Sequence, residues 1–299
     1  MSAPTVDAAR IAEHVDRLAE KHPPIDLGTA DFSVRDAQGV RERFGASLDY
    51  MARVEMEVER NVLELALLLP DVGETDRRFY ADVWSPQEER HGVLLDKLAQ
   101  RLGMPPVEAN TGDVPARVRV LGALAHLTPV HEVVRLLYYL TGAATEKAAM
   151  LAYTAMSKGL ADMGEDAVRR TVVDAIKVQE PGHFAFYRLS AQEMVQSGAL
   201  APWQLHLARV LRSKAYSLVG ATTAEQRTGF GGVIVDLGLD EDIVRSAREV
   251  SRLETQLLWA HQKGLEVPGY ALKAFRDAAA SYRERAAGAA GAAAAVAVA

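Results

Sequence analysis

Four long stretches of the 299-residue sequence contain little glycine or proline and repeat apolar residues every three or four positions. They cover residues 40–69, 76–102, 130–160 and 165–197, and turn-rich pieces separate them. This spacing is typical of amphipathic α-helices. Residues 201–218 and 239–262 repeat the pattern. The sequence therefore predicts an all-α protein in which the first four long helices form a bundle and additional C-terminal helices follow.

The two ends of the chain differ from its middle. Residues 1–30 show weak periodicity apart from a short helix expected over residues 7–21, and the sequence from residue 285 is mostly alanine and glycine. We therefore expect three parts: a partly disordered N-terminal extension over residues 1–30, one helical domain over residues 31–284, and a disordered tail over residues 285–299.

Composition excludes several classes of function. The chain contains no cysteine, so a disulfide framework, a thiolate metal site, an iron–sulfur cluster and a cysteine nucleophile are all excluded. A formal net charge of -6 argues against a nucleic-acid partner, which would require a basic face. The first residues lack a signal-peptide pattern, and no apolar run reaches the roughly 18 residues that span a bilayer. The sequence predicts a soluble, cytoplasmic protein without a membrane partner.

The first long helix carries carboxylates on its apolar face. At 100° per residue, Glu55 and Glu59 lie in the middle of the stripe that runs from Leu48 to Leu69. A bare charge buried in such a stripe is very costly, so these groups must be protonated, paired with a cation or bound to a metal. For a single buried glutamate, an ion pair with a neighbouring helix is the simplest explanation.

The other three helices repeat this anomaly. Glu88 and His91 are three residues apart on the second helix, Glu146 has small and apolar helical neighbours on the third, and Glu180 and His183 are again three apart on the fourth. Residues three apart share one helix face and can bind one ion together. With 40 acidic residues and 8 histidines, chance alone produces about one such acidic-x-x-His pair. One pair is therefore weak evidence, and the combined pattern is much stronger.

The spacing along the chain places the acidic residues of neighbouring helices at the same depth in the bundle. Glu59 and Glu88 are 29 residues apart, and Glu146 and Glu180 are 34 apart, which matches mid-helix positions in antiparallel hairpins of about 20-residue helices. Carboxylate and imidazole donors without sulfur suit two iron ions, with manganese as the alternative in one position. A purely structural polar cluster is the competing interpretation. The predicted metal ligands are Glu59, Glu88, His91, Glu146, Glu180 and His183.

With these residues in place, the chain resembles the soluble acyl-acyl-carrier-protein desaturases of the ferritin-like di-iron superfamily. The resemblance rests on Trp84 four residues before Glu88, on the run from Glu88 to Gly92, on Glu146, and on the second Glu-x-x-His pair. It implies a ferritin-like four-helix bundle, Glu59 as the first ligand and Glu55 as an acid beside the metals. It also implies two iron ions cycling between Fe2+ and Fe3+, dioxygen as oxidant, a ferredoxin-type electron donor, an acyl-carrier protein partner and a homodimer. Trp84 is a candidate electron relay.

Some positions depart from that family. Ala149 stands where the family usually has a threonine, and Gln179 stands where it usually has an acid. Pro181 and Gly182, between the last two ligands, predict a kink or bulge in the fourth helix. These departures favour a diverged reaction. The sequence thus leaves open an oxidoreductase that desaturates or oxygenates an acyl chain, an N-oxygenase or hydroxylase of a small metabolite, and a non-catalytic ferritin-like protein that handles iron.

Overall fold

The computed structural model describes residues 6–69, 72–109, 114 and 116–298, and all regular structure in these residues is helical. The predicted all-α class is therefore confirmed. The helices are α1 (Ala8–Lys21), α2 (Ala37–Met56), α3 (Val58–Leu68), α4 (Glu74–Arg78), α5 (Ser85–Arg101), α6 (Ala116–Ala125), α7 (Thr128–Asp162), α8 (Asp166–Val168), α9 (Asp174–Gln196), α10 (Pro202–Ala215), α11 (Ala224–Asp236), α12 (Ile243–Leu258) and α13 (Gly269–Val298). A 3₁₀ turn covers Leu27–Thr29. Two π-helical segments connect α4 to α5 (Phe79–Trp84) and α8 to α9 (Arg169–Val173).

Four helices form the bundle that the sequence predicts. α2 packs along α5, and α7 packs along α9. Outside the bundle, α10 and α12 pack on α7, while α11 lies between α2 and α13. α1 packs on α9, and α3 packs on α6. The C-terminal helices thus cover the outer faces of the bundle, as helices with one apolar stripe must.

Side-chain caps fix where several of these helices begin. The Asp36 carboxylate accepts a hydrogen bond from the backbone N–H of Gly39 at the start of α2. Asp242 caps α12 in the same way, and Thr223 and Gln226 form a capping box at the start of α11. Each cap satisfies a backbone donor that the first helical turn leaves without a partner.

The apolar core is divided into two clusters along the bundle axis. One contains Phe44, Leu95 and Tyr153, and the other contains Phe79, Leu136 and Phe186. On each bundle helix, a buried glutamate lies near the boundary between the clusters. The flanking cluster members are Ala52 and Val58 around α2, Trp84 and Leu94 around the start of α5, Ala143 and Ala144 on α7, and Ile176 and Phe186 on α9. A polar layer therefore separates two apolar cores.

The first predicted long helix is broken. Residues 40–69 form α2 and α3, and the break lies at Glu57, whose backbone N–H is shared between the carbonyl groups of Arg53 and Val54. The Glu57 carboxylate is buried and pairs with the buried Arg60 guanidinium at 2.5 Å. This turn interrupts the 3.6-residue periodicity, so a helical wheel drawn across it fails for the residues that follow.

Both ends of the described chain are helical. Residues 285–298 continue α13, because alanine is the strongest helix former; the disorder expected of this tail stays a prediction. In the N-terminal extension, the helix expected over residues 7–21 is α1, which buries Ile11, Val15 and Leu18 against the bundle. Residues 1–5 and residue 299 lie outside the described residues.

In the described part of the chain, no helix is both long enough and apolar enough to cross a lipid bilayer.

Candidate metal centre

Each bundle helix places one carboxylate in the polar layer between the two apolar cores. Glu55 comes from α2, Glu88 from α5, Glu146 from α7 and Glu180 from α9. None of the four is more than 8% exposed to solvent. His91 on α5 and His183 on α9 lie with them and are fully buried. Five of the six predicted ligands therefore meet.

Their donor atoms form two groups compact enough to hold a metal ion each. Glu55, Glu88 and His91 make up the first group, and Glu88, Glu146, Glu180 and His183 make up the second. Within each group the donor atoms lie within 4.8 Å of one another. Glu88 belongs to both groups, as a carboxylate that bridges two ions must. The two imidazole rings are 6.1 Å apart between centroids.

The prediction that Glu59 supplies the first ligand is wrong. Glu59 is exposed to solvent on α3, and Glu55 occupies the position expected of it. The turn at Glu57 is the reason: Glu55 lies before it, in the part of the chain that packs on α5, whereas Glu59 lies after it. The role expected for Glu55, an acid beside the metals, is corrected at the same time, because its carboxylate is part of the first group.

Hydrogen bonds fix the tautomer of both histidines. The side-chain amide of Gln179 donates to the carbonyl of Pro23 at 2.8 Å, so its Oε1 atom faces His91 Nε2, also at 2.8 Å. Because Oε1 can only accept, His91 Nε2 must carry the hydrogen. Gln87 makes the same arrangement, donating to the carbonyl of His22 at 2.6 Å and accepting from His183 Nε2 at 2.8 Å. In the neutral rings, both Nδ1 atoms are therefore bare lone pairs.

These lone pairs point at carboxylate oxygens. His91 Nδ1 lies 3.2 Å from Glu180 Oε1, and His183 Nδ1 lies 2.8 Å from Glu88 Oε1. Within the described structure, none of these four buried atoms has a hydrogen-bond partner. Two acceptors that face each other repel unless a positive charge lies between or beside them. A metal ion, or a proton in its absence, meets that requirement, so the residues fit a metal pair.

Burial shifts the ionisation of the cluster toward its neutral forms. Loss of solvation, followed by the charge of Glu55, raises the pKa of Glu88 well above its ordinary value. Loss of solvation and then the charge of Glu146 raise the pKa of Glu180 in the same way. Burial, with a smaller contribution from His183, lowers the pKa of His91 to about 3. Without metal, burial thus favours the protonated carboxyl forms of Glu88 and Glu180 and the neutral imidazole of His91, and bound cations would favour the two carboxylates instead.

Tyr153 on α7 positions the Glu55 carboxylate. Its hydroxyl donates to Glu55 Oε1 at 2.6 Å, and both side chains are buried. The sequence analysis assigns no role to Tyr153. No sequence pattern marks Tyr153 as a site residue, because its contact with Glu55 joins two helices through residues that are 98 positions apart in the sequence.

Replacing Tyr153 with phenylalanine is expected to destabilise the metal-free protein by about 1–3 kcal/mol, because a buried carboxyl group loses its donor. Denaturant unfolding of metal-free protein measures the change. Tyr282→Phe is the matched control, since Tyr282 bonds Asp236 at 3.1 Å in a half-buried place between α13 and α11, away from the carboxylate cluster. An equal loss of stability in both variants would contradict a special role for the Tyr153–Glu55 bond.

Trp84 touches the centre, as its position before Glu88 suggests. Its indole N–H donates to Glu146 Oε1 over a long 3.4 Å, and its ring makes an edge-to-face contact with Tyr80. Both aromatic residues belong to the π-helical segment Phe79–Trp84. The role of Trp84 as an electron relay stays a prediction.

Of the kink or bulge predicted between Glu180 and His183, the bulge does not form. α9 is helical from Asp174 to Gln196, with Pro181 inside it, and the π-helical segment lies earlier, at Arg169–Val173. Pro181 removes a single backbone hydrogen bond, which the packing of a 23-residue helix against α7 and α1 outweighs. Gly182 instead permits close contact with α1: a β-carbon there would lie 2.6 Å from Leu18 Cδ2.

A cavity adjoins the carboxylate cluster. It offers about 110 Å³ to the centres of water-sized molecules, several times the roughly 10–15 Å³ that one water needs. All four cluster carboxylates form part of its wall. Among the small residues of α7 near Glu146, Gly142, Ala148 and Ala149 line the cavity, whereas Ala143 and Ala144 are buried in helix packing.

No protein-family model, curated protein or solved structure matches the chain. The resemblance to acyl-acyl-carrier-protein desaturases therefore rests on the motif residues alone, and function has to be argued from the centre and its cavity.

Proposed function

We propose that this protein is a dinuclear, non-heme iron oxidoreductase that uses dioxygen to oxidise a long, mostly apolar substrate. The observation that carries the proposal is the convergence of four buried carboxylates with two imidazoles whose bare Nδ1 atoms have no hydrogen-bond partner. Six oxygen and nitrogen donors without sulfur suit iron or manganese, and two imidazoles argue against calcium. Four carboxylates also balance the charge of two divalent ions.

The chain's own side chains would hold the metal pair. Glu88 would contribute to both metal positions, Glu55 and His91 would complete one of them, and Glu146, Glu180 and His183 would complete the other. A bound ferrous pair would supply electrons to dioxygen, and thereby the oxidising power needed to attack an unactivated C–H bond. Desaturation and hydroxylation both require two further electrons and two protons from outside for each dioxygen molecule. An external donor of the ferredoxin type fits this requirement.

The shape of the cavity favours a chain-like substrate over a compact one. Its lining on α7 runs from Tyr138 to Ala152, which is about 21 Å of helix with Glu146 between the two ends. Asn61, Glu64, Tyr138 and Thr141 give one end a polar wall. The wall at the other end is mostly apolar and includes Met51, Ala152, Leu218, Phe230 and Val233. An acyl or alkyl chain with its polar end beside Tyr138 would pass the metal centre midway along its length.

The same cavity separates this proposal from the two alternatives. A small polar metabolite, the substrate of an N-oxygenase or hydroxylase, would leave the apolar end unfilled. An iron-handling protein of the ferritin type needs no elongated apolar cavity beside its metals. The proposed acyl-carrier partner and homodimer are to be tested by gel filtration, alone and with acyl-carrier protein.

The test is reconstitution with ferrous iron in the absence of air. We expect two iron ions per chain and, on adding dioxygen, a reductant and acyl chains of increasing length, dioxygen uptake coupled to a desaturated or hydroxylated product detected by mass spectrometry. A protein that binds two ions but consumes no dioxygen with any chain would overturn the oxidoreductase proposal. One that binds none would overturn the metal centre itself.

Replacing Ala149 with leucine is expected to block the cavity and leave the metal centre intact. Ala149 lines the cavity one turn after Glu146, so the larger leucine side chain would occupy space that a substrate chain needs. Turnover of the best chain substrate should therefore fall by about tenfold or more, which corresponds to about 1.4 kcal/mol. Ala161→Leu, at an exposed position of the same helix, is the control. Unchanged turnover in Ala149→Leu with normal iron content would place the substrate elsewhere.

A further inference from the structure

The motif Gln-Glu-x-x-His occurs twice, as residues 87–91 and 179–183, and each copy supports the other. Gln87 accepts a hydrogen bond from the histidine of the second copy, His183. Gln179 accepts one from the histidine of the first copy, His91. Both glutamines are buried, at 2% and 6% exposure. The two motif copies are thus joined by hydrogen bonds at the Nε2 side of the imidazole rings, opposite the Nδ1 atoms that face the carboxylates.

A segment outside the bundle sets the orientation of both glutamines. We define the N-terminal arm as α1 together with His22 and Pro23. The Gln87 amide donates to the carbonyl of His22, and the Gln179 amide donates to the carbonyl of Pro23. Two consecutive backbone carbonyls of the N-terminal arm therefore hold the two amides.

This orientation decides which imidazole nitrogen is available to a metal. A carbonyl cannot donate, so each glutamine must turn its NH₂ group toward the N-terminal arm and its Oε1 atom toward the histidine. If either amide were rotated by 180°, its NH₂ group would face Nε2, and Nε2 would become the acceptor. The hydrogen would then move to Nδ1 and occupy the position that faces the carboxylates. Only the observed orientation leaves Nδ1 free to bind a cation.

The N-terminal arm is itself held directly against the ligand-bearing helix. His14 on α1 is buried and bonds the carbonyl of Gly182 through Nε2 at 2.9 Å. Leu18 packs over Gly182, where a side chain would collide with it. Asp16 pairs with Arg78 on α4. The arm therefore contacts α9 at the residue next to His183.

We propose that the N-terminal arm is a positioning part of the metal centre, which holds both histidines in the metal-binding tautomer through Gln87 and Gln179. The inference rests on the proposed function, because it concerns the same two metal positions. A purely structural role, in which the glutamines only attach the arm to the bundle, is the competing explanation. The two explanations predict different metal affinities for a variant in which the side chain at the glutamine position no longer donates to the arm but still accepts the hydrogen bond from the histidine.

Substitution of the glutamines separates these roles. In Gln87→Met and Gln179→Met, both the attachment and the acceptor are lost. In Gln87→Glu and Gln179→Glu, the carboxylate still accepts from histidine Nε2 but has no hydrogen to donate to the arm carbonyl. Gln204→Met is a matched control, because the Gln204 amide also donates to a proline carbonyl, that of Pro129, far from the centre.

The experiment is a titration of the full-length, metal-free variants with Co²⁺, followed by visible absorption and by competition with a chelator. We expect two ions per chain in the unmodified protein and in Gln204→Met. Each methionine variant should bind about 10–100-fold more weakly, as is usual for the loss of a hydrogen bond behind a metal ligand. The glutamate variants should bind nearly as tightly as the unmodified protein, because carboxylate–histidine–metal arrangements are favourable.

A variant of the N-terminal arm completes the test. His14→Leu removes the bond to Gly182 without touching either glutamine, and it should weaken Co²⁺ binding in the unmodified background but not in the doubly substituted Gln87→Glu, Gln179→Glu background. Circular dichroism confirms that each variant is folded, and the glutamate variants remain decisive if a methionine variant does not fold. Glutamate variants as weak as the methionine variants, or methionine variants of unchanged affinity, would overturn the inference. Absence of Co²⁺ binding by the unmodified protein would instead overturn the proposed function.

Discussion

Replacing Glu55 with alanine is expected to lower the metal content of the reconstituted protein from two ions per chain to one. The first donor group would retain only Glu88 and His91, whereas the second group would keep all four of its donors. Replacing Glu59 with alanine is the matched control and should leave the content at two, because Glu59 is exposed on α3. Elemental analysis after removal of loosely bound ions measures both contents.

This comparison separates the structural assignment from the one suggested by sequence resemblance. The two glutamates are one helical turn apart, so their substitution tests position rather than residue type. A loss of metal in Glu59→Ala together with normal content in Glu55→Ala would mean that the turn at Glu57 is absent in solution and that α2 continues through it.

The metal-free protein is expected to lose stability as the pH rises, and metal ions are expected to restore it. Because burial raises the pKa of Glu88 and Glu180 above 4.5, their contribution to stability is complete below pH 4.5 and is lost as the pH rises through the raised values. His91 acts oppositely, since its pKa is lowered from 6.5 to about 3. Its contribution is complete above pH 6.5. Above pH 6.5 the contribution of His91 no longer changes. Any further fall in melting temperature that these three groups cause should therefore come from Glu88 and Glu180.

Thermal unfolding between pH 6.5 and 9, with and without Mn²⁺, measures this effect. An ion present at 100 times its dissociation constant adds about 2.7 kcal/mol, which corresponds to a rise of about 5–10 °C in melting temperature. The rise should increase with pH, because binding displaces protons from Glu88 and Glu180. The control is Glu88→Gln, which removes the shared carboxylate. A rise that is independent of pH, or equal in the control, would contradict metal binding at the cluster.

Much of the fold and centre follows from spacing along the chain. Helical periodicity predicts the bundle helices, and the two Glu-x-x-His pairs predict four of the six buried groups, because i and i+3 positions share a helix face. Glu146 follows from its apolar neighbours. Each of these inferences uses positions within a single helix, where geometry is fixed by residue number.

What the sequence could not predict depends on contacts between segments. The choice between Glu55 and Glu59 was decided by the Glu57–Arg60 pair and the turn it accompanies, neither of which has a periodic signal. Gln87 and Gln179 carried one available signal, the repeated Gln-Glu-x-x-His motif, but their roles depend on carbonyls more than 60 residues away.

The π-helical segment Phe79–Trp84 has a consequence for how this chain tolerates change in length. A π turn holds one residue more than an α turn, so it is the conformation that a helix adopts when one residue is inserted while both of its ends stay fixed. Here α5 is fixed by Glu88 and His91 on one side, and α4 by the buried contact of Asp76 with Tyr139 on the other. Removal of one residue from this segment would therefore turn the π turn into an α turn and leave the two anchored ends where they are.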